Sequence, residues 1–163
     1  MARLTETRPR VLAVYPFRRG FGFAVLEGVT LVDWGIARLH SKNDEELLVR
    51  VDDLVSRYQI ALLALEDGSN RRRGQDARRR IERLLGFAHL RKLATQTVSR
   101  KQAWITLGLA DQATNHDMCV LIGSYFEELQ PLLPRKRRFF DNEDERTNVF
   151  RAVAIGIGVS CGS

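Results

Sequence analysis

Two short apolar runs near the amino terminus, separated by only three residues, constrain the fold of this chain more than any other feature. The first run spans residues 10–16 and the second spans residues 20–27, and both are rich in β-branched and aromatic side chains. Because so short a connection cannot form a crossover, the two runs predict a β-hairpin. A third run at 29–38 follows the turn residue Gly28, so residues 10–38 predict a three-stranded antiparallel meander.

Small residues alternate with bulky ones along the second run. Successive side chains of a strand point to opposite faces, so Gly20, Gly22 and Ala24 leave one face nearly bare. A bare face allows close approach by another part of the molecule or by a ligand. We expect a packed helix on this face, with a ligand backbone as the alternative.

Helical and strand patterns alternate over the rest of the chain. A capping-box sequence at 43–46, followed by apolar residues at helical spacing, predicts an amphipathic helix over 43–58. The apolar run within 59–65 is typical of a strand buried on both faces. The remaining predicted elements are a helix over 75–92, a strand over 95–98, and helices over 100–109, 115–129 and 142–158.

This order of elements predicts an α/β fold. A three-stranded antiparallel start followed by strand–helix–strand units gives a mixed sheet, with parallel strands after the meander and helices flanking it. The chain has 163 residues, about the length of one domain, so we expect residues 1–163 to form a single domain.

The charge balance favours an anionic partner. Lysine and arginine total 26 against 20 aspartate and glutamate residues, and arginine, whose planar fork suits phosphate oxygens, dominates the excess. Two basic clusters stand out, one within 71–83 and one at 135–138. Phe139 and Phe140 follow the second cluster and are candidates to stack on unpaired bases. The alternative for the first cluster is a solvated helix face, and the alternative for the second is a buried aromatic anchor. The predicted nucleic-acid contacts in these clusters are Arg71, Arg72, Arg73, Arg78, Arg135, Lys136, Arg137 and Arg138.

The two cysteines, Cys119 and Cys161, form neither a disulfide framework nor a metal knuckle, which favours a reducing cytoplasm. His116 and Cys119 are spaced as helical neighbours, but a helix start capped by Thr114 and Asp117 is the favoured interpretation of this segment. No apolar run reaches the length of a membrane span, so we expect no membrane association.

Three motifs in this order of elements carry a resemblance to a known family. They are residues 11–17 followed by 20–25, the apolar run 62–66 ending in Glu66, and the Val-Ser-Arg-Lys stretch 98–101. The chain resembles RuvC-like Holliday-junction resolvases and the small bacterial proteins similar to them, within the ribonuclease H-like superfamily. The resemblance implies a ribonuclease H-like sheet, DNA or RNA as partner, a homodimer, Mg²⁺ or Mn²⁺ if the site is catalytic, and two more nucleic-acid contacts, Arg100 and Lys101.

The chain departs from the family pattern where metal ligands are expected. Tyr15 stands at the position of the first aspartate, Arg151 at that of an acid on the last helix, and Asn148 one turn before it. A phenol that titrates near 10 is a poor ligand for a hard metal ion, so Tyr15 either stacks on a base or fills the metal pocket. The resemblance places Arg151 beside Glu66, where a guanidinium would replace the cation and form an ion pair.

The remaining catalytic candidates are Glu66, Asp67 and Asp144, with Glu66 as the candidate metal ligand. Glu66 and Asp67 can equally end a strand and cap the next turn, and the acids at 141–145 are better explained as helix capping. Two-metal cleavage needs several converging carboxylates. The leading hypothesis is therefore a protein that binds structured nucleic acid with a degenerate nuclease site. The alternatives are a metal-dependent endonuclease with a rearranged site and a protein-interaction module.

Overall fold

The computed structural model describes residues 8–40, 43–69, 73–136 and 144–161, without the side chain of Cys161. Within these ranges, five strands and five α-helices follow one another in the predicted order, with a 3₁₀ helix after the fourth α-helix. The elements are β1 (Arg10–Phe17), β2 (Gly20–Glu27), β3 (Thr30–Arg38), α1 (Glu45–Tyr58), β4 (Leu62–Glu66), α2 (Gln75–Leu90), β5 (Ala94–Val98), α3 (Arg100–Leu107), α4 (Asn115–Tyr125), the 3₁₀ helix (Glu127–Leu132) and α5 (Thr147–Cys161).

The strands form one mixed sheet in the order β3-β2-β1-β4-β5. The first three strands pair antiparallel, whereas β4 runs parallel to β1 and to β5, which confirms the predicted sheet. Because β2 alone runs in the opposite direction, the carboxyl ends of β1, β3, β4 and β5 lie along one edge. We call this edge, where these strands end, the carboxyl edge.

Helices cover both faces of the sheet. One face carries Ala13, Tyr15 and Ala24 and packs against α5, and α3 and α4 pack on α5 in the same core. The opposite face carries Leu12 and Val14 and packs against α1 and α2. The alternation of side chains along β1 therefore directs Tyr15 toward α5. None of the described helices is long and apolar enough to cross a lipid bilayer.

The bare face of β2 receives α5, as the small residues predict. A Cβ atom on Gly22 would lie 2.3 Å from the backbone oxygen of Asn148, and one on Gly156 would lie 2.1 Å from Leu26 Cδ1. These distances leave no room for a side chain, so helix and strand touch backbone to backbone near Gly22. The contact brings the first turns of α5 directly over the sheet.

Gly22→Ala should destabilise the fold by roughly 1–3 kcal/mol, because α5 must move away to admit the methyl group. Gly86→Ala on α2 is the matched control, since a Cβ there meets no heavy atom within 4 Å. The control should be neutral or stabilising by up to about 1 kcal/mol, as expected for alanine in a helix. Urea unfolding of both variants measures the difference, and equal free energies of unfolding would contradict the close seating of α5.

Two helix ends differ from the predictions by four or five residues, each for a local reason. The helix predicted over 115–129 ends at Tyr125, because Phe126 adopts an extended conformation before the 3₁₀ helix begins. The helix predicted from 142 begins at Thr147, so the Asp144 carboxylate lies before its first turn and accepts a hydrogen bond from the backbone N–H of Arg146. Ahead of α1, Asn43 Oδ1 accepts a hydrogen bond from the Glu45 backbone N–H at 3.1 Å, whereas the Asp44 side chain binds α2.

The capping of α4 is confirmed. Thr114 Oγ1 accepts a hydrogen bond from the Asp117 backbone N–H at 3.1 Å, and the Asp117 carboxylate accepts one from the Thr114 backbone N–H at 2.8 Å. These hydrogen bonds hold the pKa of Asp117 below its usual range. The reciprocal pair satisfies two backbone donors at the start of the helix.

Candidate nucleic-acid interface

Tyr15 and Glu66 lie side by side near the middle of the carboxyl edge. Val14 of β1 pairs with Leu65 of β4, so the next residue of each strand continues the same register. Both side chains are buried, and both point to the face that α5 covers. The sheet therefore brings together the two positions that the resemblance places at the centre of the site.

Arg73 enters this centre from the loop between β4 and α2. Its Nη1 atom lies 3.8 Å from Glu66 Oε1, and its Cζ atom lies 4.0 Å from the centroid of the Tyr15 ring. It also donates a hydrogen bond to the backbone carbonyl of Pro16. The Arg73 side chain is only 7% exposed, so it is not the surface phosphate contact that the sequence predicts. Its charge instead compensates a buried carboxylate.

Arg151 approaches the same ring from α5. Its Cζ atom lies 5.1 Å from the Tyr15 centroid, and its Nη1 atom donates a hydrogen bond to Asn148 Oδ1 at 2.9 Å. Arg151 and Glu66 line one small cavity of about 20 Å³, as the predicted placement of Arg151 beside Glu66 requires. The buried ring of Tyr15 thus has two guanidiniums in cation–π range.

The side chains of this centre do not fit a pair of divalent cations. Each such ion needs several oxygen ligands, and a two-metal centre needs converging carboxylates. Here a single carboxylate, Glu66, faces Arg73 and Arg151. Nowhere in the described ranges do three histidine, cysteine, aspartate or glutamate side chains gather closely enough to hold a metal ion.

The two other catalytic candidates are engaged locally. Asp67 Oδ1 accepts hydrogen bonds from the backbone and the hydroxyl of Ser69, which is the turn-capping alternative noted for this residue. Asp144 forms an ion pair with Arg146 at 2.6 Å, and this hydrogen-bonded partner holds the pKa of Asp144 below its usual range. Asp144 lines a different cleft from Glu66, together with Ile36. The acids at 141–143 lie outside the described residues.

Arg100 and Lys101 begin α3 at the carboxyl end of β5. The Cζ atom of Arg100 lies 4.2 Å from the Trp104 ring, and its Nη2 atom donates a hydrogen bond to Asn115 Oδ1 at 3.1 Å. A cleft of about 530 Å³ is lined by Arg100, Lys101 and Trp104, and we call it the tryptophan cleft. Arg100 and Trp104 also line the cavity beside Glu66. The cleft therefore adjoins the group formed by Tyr15, Glu66, Arg73 and Arg151, which we call the Tyr15 centre.

Sequence reasoning missed Trp104. Its spacing of four residues after Arg100 places both side chains on one helix face, which was the available signal. Of the other predicted contacts, Arg78, Arg135 and Lys136 are exposed. Arg71, Arg72, Arg137 and Arg138, with the neighbouring Phe139 and Phe140, lie outside the described residues.

A larger cleft, of about 940 Å³, lies between the turn after β1, the end of β3 and the start of α2. We call it the arginine cleft. Arg80 in its wall is buried, although the amphipathic pattern of α2 predicts that the arginines of this helix lie mostly on its outward face. Three other arginines of this cleft come from the turn after β1 and from the end of β3, and no sequence pattern groups them. The six arginines that line it are Arg18, Arg19, Arg38, Arg79, Arg80 and Arg83.

Comparison with known proteins bears on the fold. No protein-family model matches the sequence, and no curated protein is significantly similar to it. The structure is similar to RuvC of Thermus thermophilus in complex with a Holliday junction substrate, with a TM-score of 0.66, 14% identity, and coverage of 93% of this chain and 92% of that chain. A second Thermus thermophilus RuvC structure gives a TM-score of 0.65, 15% identity, and coverage of 91% and 92%. The chain therefore has a RuvC-like, ribonuclease H-like fold.

Proposed function

We propose that this protein binds structured or branched nucleic acid along its carboxyl edge and does not cleave it efficiently. The observation that carries the proposal is the pair of guanidiniums, from Arg73 and Arg151, that lie in cation–π range of Tyr15 and next to Glu66. The RuvC structure of the same fold is described in complex with a Holliday junction substrate. That likeness of fold supports nucleic acid as the class of partner.

The chemistry of the centre favours binding over cleavage. Divalent cations in a nuclease neutralise phosphate charge and also activate the attacking and leaving oxygens. A guanidinium supplies positive charge and directed hydrogen bonds, but it activates no water molecule. The arrangement around Tyr15 therefore supplies positive charge next to Glu66, but it supplies no group that activates an attacking water molecule.

The tryptophan cleft supplies the surface contacts next to this centre. Lys101 is exposed and Arg100 is partly exposed, so both present positive charge to a phosphate backbone. Trp104 is partly exposed and stacks with the Arg100 guanidinium, and this planar pair offers a cationic surface on which an unpaired base can stack. Branched substrates contain such unpaired or distorted positions, which is why we favour them over a regular duplex.

Two competing functions make different predictions from this proposal. An endonuclease would use Glu66, Asp67 and an acid from 141–145, with Mg²⁺ or Mn²⁺. A protein-interaction module would keep the basic edge for acidic proteins. We propose DNA or RNA as partner without assigning either, and a homodimer stays an expectation from the family resemblance.

The purified protein should not cleave four-way junctions, flaps or duplexes above background in Mg²⁺ or Mn²⁺, because the centre lacks converging carboxylates. Gel-based cleavage assays with labelled substrates measure this, with Glu66→Gln as the control. Metal-dependent cleavage by the natural protein that disappears in Glu66→Gln would show that the site is a rearranged active centre.

A set of substitutions tests the guanidiniums directly. The triple variant Tyr15→Asp, Arg73→Ala and Arg151→Asp should bind Mn²⁺ more tightly than the natural protein in calorimetric titration, since it adds two carboxylates and removes two cations. The variant with only Tyr15→Asp and Arg151→Asp should bind Mn²⁺ less well than the triple variant, because Arg73 stays 3.8 Å from Glu66. Equal metal affinity in both would mean that Arg73 does not occupy the cation position.

A further inference from the structure

The arginine cleft lies outside the centre just described and is formed by four parts of the carboxyl edge. Arg18 and Arg19 come from the turn between β1 and β2, and Arg38 ends β3. The other arginines lie on the first turns of α2, and Asp44 precedes α1. Elements that are far apart in sequence therefore present the same type of side chain to one space.

Two of these arginines are fixed in the wall of the cleft. Arg80 donates hydrogen bonds to the backbone carbonyls of Phe17 and Arg18, and its Nε atom lies 3.3 Å from Asp44 Oδ1. Arg79 binds the same carboxylate at 2.8 Å and Asp76 at 2.8 Å. The wall is therefore preorganised, with the buried Asp44 holding both guanidiniums.

The other arginines of the cleft are available to a ligand to different degrees. Arg38 and Arg19 contact Glu145 at 2.9 Å and 4.0 Å, and both are largely exposed. Arg18 and Arg83 are exposed, and within the described ranges no carboxylate lies at ion-pair distance from either. These two side chains provide the uncompensated charge of the cleft.

The lining residues indicate the chemistry of the occupant. Six arginines face two aspartates, Asp44 and Asp76, which leaves an excess of four positive charges, or three when Glu145 is counted. Small-molecule sites of this size are lined mainly by apolar side chains, whereas Leu39 is the only apolar side chain among the described residues of this lining. A polyanion with regularly spaced phosphates matches such a surface better than a compact ligand.

The cleft is also positioned to share a ligand with the Tyr15 centre. Arg73 of the centre binds the carbonyl of Pro16, and Arg80 of the cleft binds the carbonyls of the next two residues. The last residues of β1 and the turn that follows thus form a common wall between them. A phosphate backbone that passes the centre reaches the cleft without leaving the carboxyl edge.

We propose that the arginine cleft is a second nucleic-acid contact, which holds backbone phosphates of the strand or duplex arm that leads away from the Tyr15 centre. This inference rests on the proposed function. Its occupant is a nucleic acid of any sequence, because arginine contacts to phosphates carry no base information. Acidic proteins are the competing class, and the test separates them.

The double variant Arg18→Gln and Arg83→Gln tests the proposal, since both side chains are exposed and their loss leaves the wall intact. The matched control is Arg57→Gln and Arg91→Gln, which removes the same charge from the opposite edge, where α1 and α2 end. Fluorescence anisotropy with a labelled four-way DNA junction, a DNA duplex and an RNA duplex gives the affinities. Circular dichroism checks that both variants fold.

We expect the cleft variant to lose about tenfold in affinity at low salt and to flatten the log–log salt dependence by roughly one to two units, against little change in the control. Equal nucleic-acid affinity of the cleft variant and the natural protein would contradict a role of the arginine cleft in binding, while leaving the proposed function intact. Absence of any binding by the natural protein would overturn both. Binding of labelled poly-L-glutamate that depends on Arg18 and Arg83, without such dependence for nucleic acid, would assign the cleft to an acidic protein.

Discussion

Binding of a four-way junction or a duplex should weaken about 1,000-fold as monovalent salt rises from about 50 mM to about 200 mM. The reason is the arginine-rich carboxyl edge. About six phosphate contacts on duplex DNA release enough counterions to give a log–log slope near −5. Anisotropy titrations over a series of salt concentrations measure this slope.

The variant Arg100→Gln and Lys101→Gln serves as the internal comparison for the salt series. It should flatten the slope by roughly one to two units through the loss of the tryptophan cleft's cations. Affinity that does not respond to salt would contradict phosphate binding and favour the protein-interaction alternative.

Asp44→Ala should lower the free energy of unfolding by about 3–5 kcal/mol, the usual cost of removing one partner of a buried ion pair. The Asp44 side chain is 9% exposed and contacts Arg80, whose side chain is 5% exposed. The matched control is Asp53→Ala, which breaks an exposed pair with Arg57 and should cost less than about 1 kcal/mol. Urea unfolding near neutral pH gives both values, and similar losses would show that Asp44 does not hold the wall of the cleft.

The effect of Asp44 should fade in acid. The side-chain hydrogen bond from Arg79, with that from Arg80, holds the pKa of Asp44 below its ordinary value of 3.8 despite burial. A carboxylate with a lowered pKa in the folded state stabilises the fold fully above its unfolded pKa, and this contribution disappears as the pH falls through the folded pKa. The difference between the natural protein and Asp44→Ala should therefore be constant above about pH 5 and shrink below about pH 4. A difference that grows in acid would contradict the sign of this pKa shift.

The sheet could be predicted from the sequence because its signals are local. The alternation within 20–27 and the uninterrupted apolar run ending at Glu66 each specify a strand without knowledge of distant residues. The short connection after β1 fixes antiparallel pairing. The small residues of β2 also predicted the helix that packs on them.

The site was predictable only in part, because its ion pairs join distant segments. Asp44 and Arg80 are 36 residues apart, and no periodicity relates an acid before one helix to an arginine on another. The local pattern at 43–46 predicts where a helix starts, but it does not indicate that Asp44 is the carboxylate that the buried guanidinium of Arg80 requires. The ion pair between Arg73 and Glu66 was not predictable for the same reason, since the sequence does not specify the course of the loop between them.

The arginine cleft illustrates the same limit at the level of topology. Arg18, Arg38 and Arg83 each look like solvated surface charges when considered alone. They meet because β1 and β3 run in the same direction and end at one edge, next to the start of α2. Charge patterns along the chain therefore underestimate how concentrated the charge becomes in space.

The seating of α5 on β2 separates the architecture of the carboxyl edge from its chemistry. Gly22 and Gly156 set the position of the helix by close contact, and neither contact involves the side chain of residue 151. We therefore expect substitutions of Arg151 to change the charge next to Tyr15 without moving α5 on the sheet. The placement of this residue depends on glycines elsewhere in the fold, whereas its charge depends only on its own side chain.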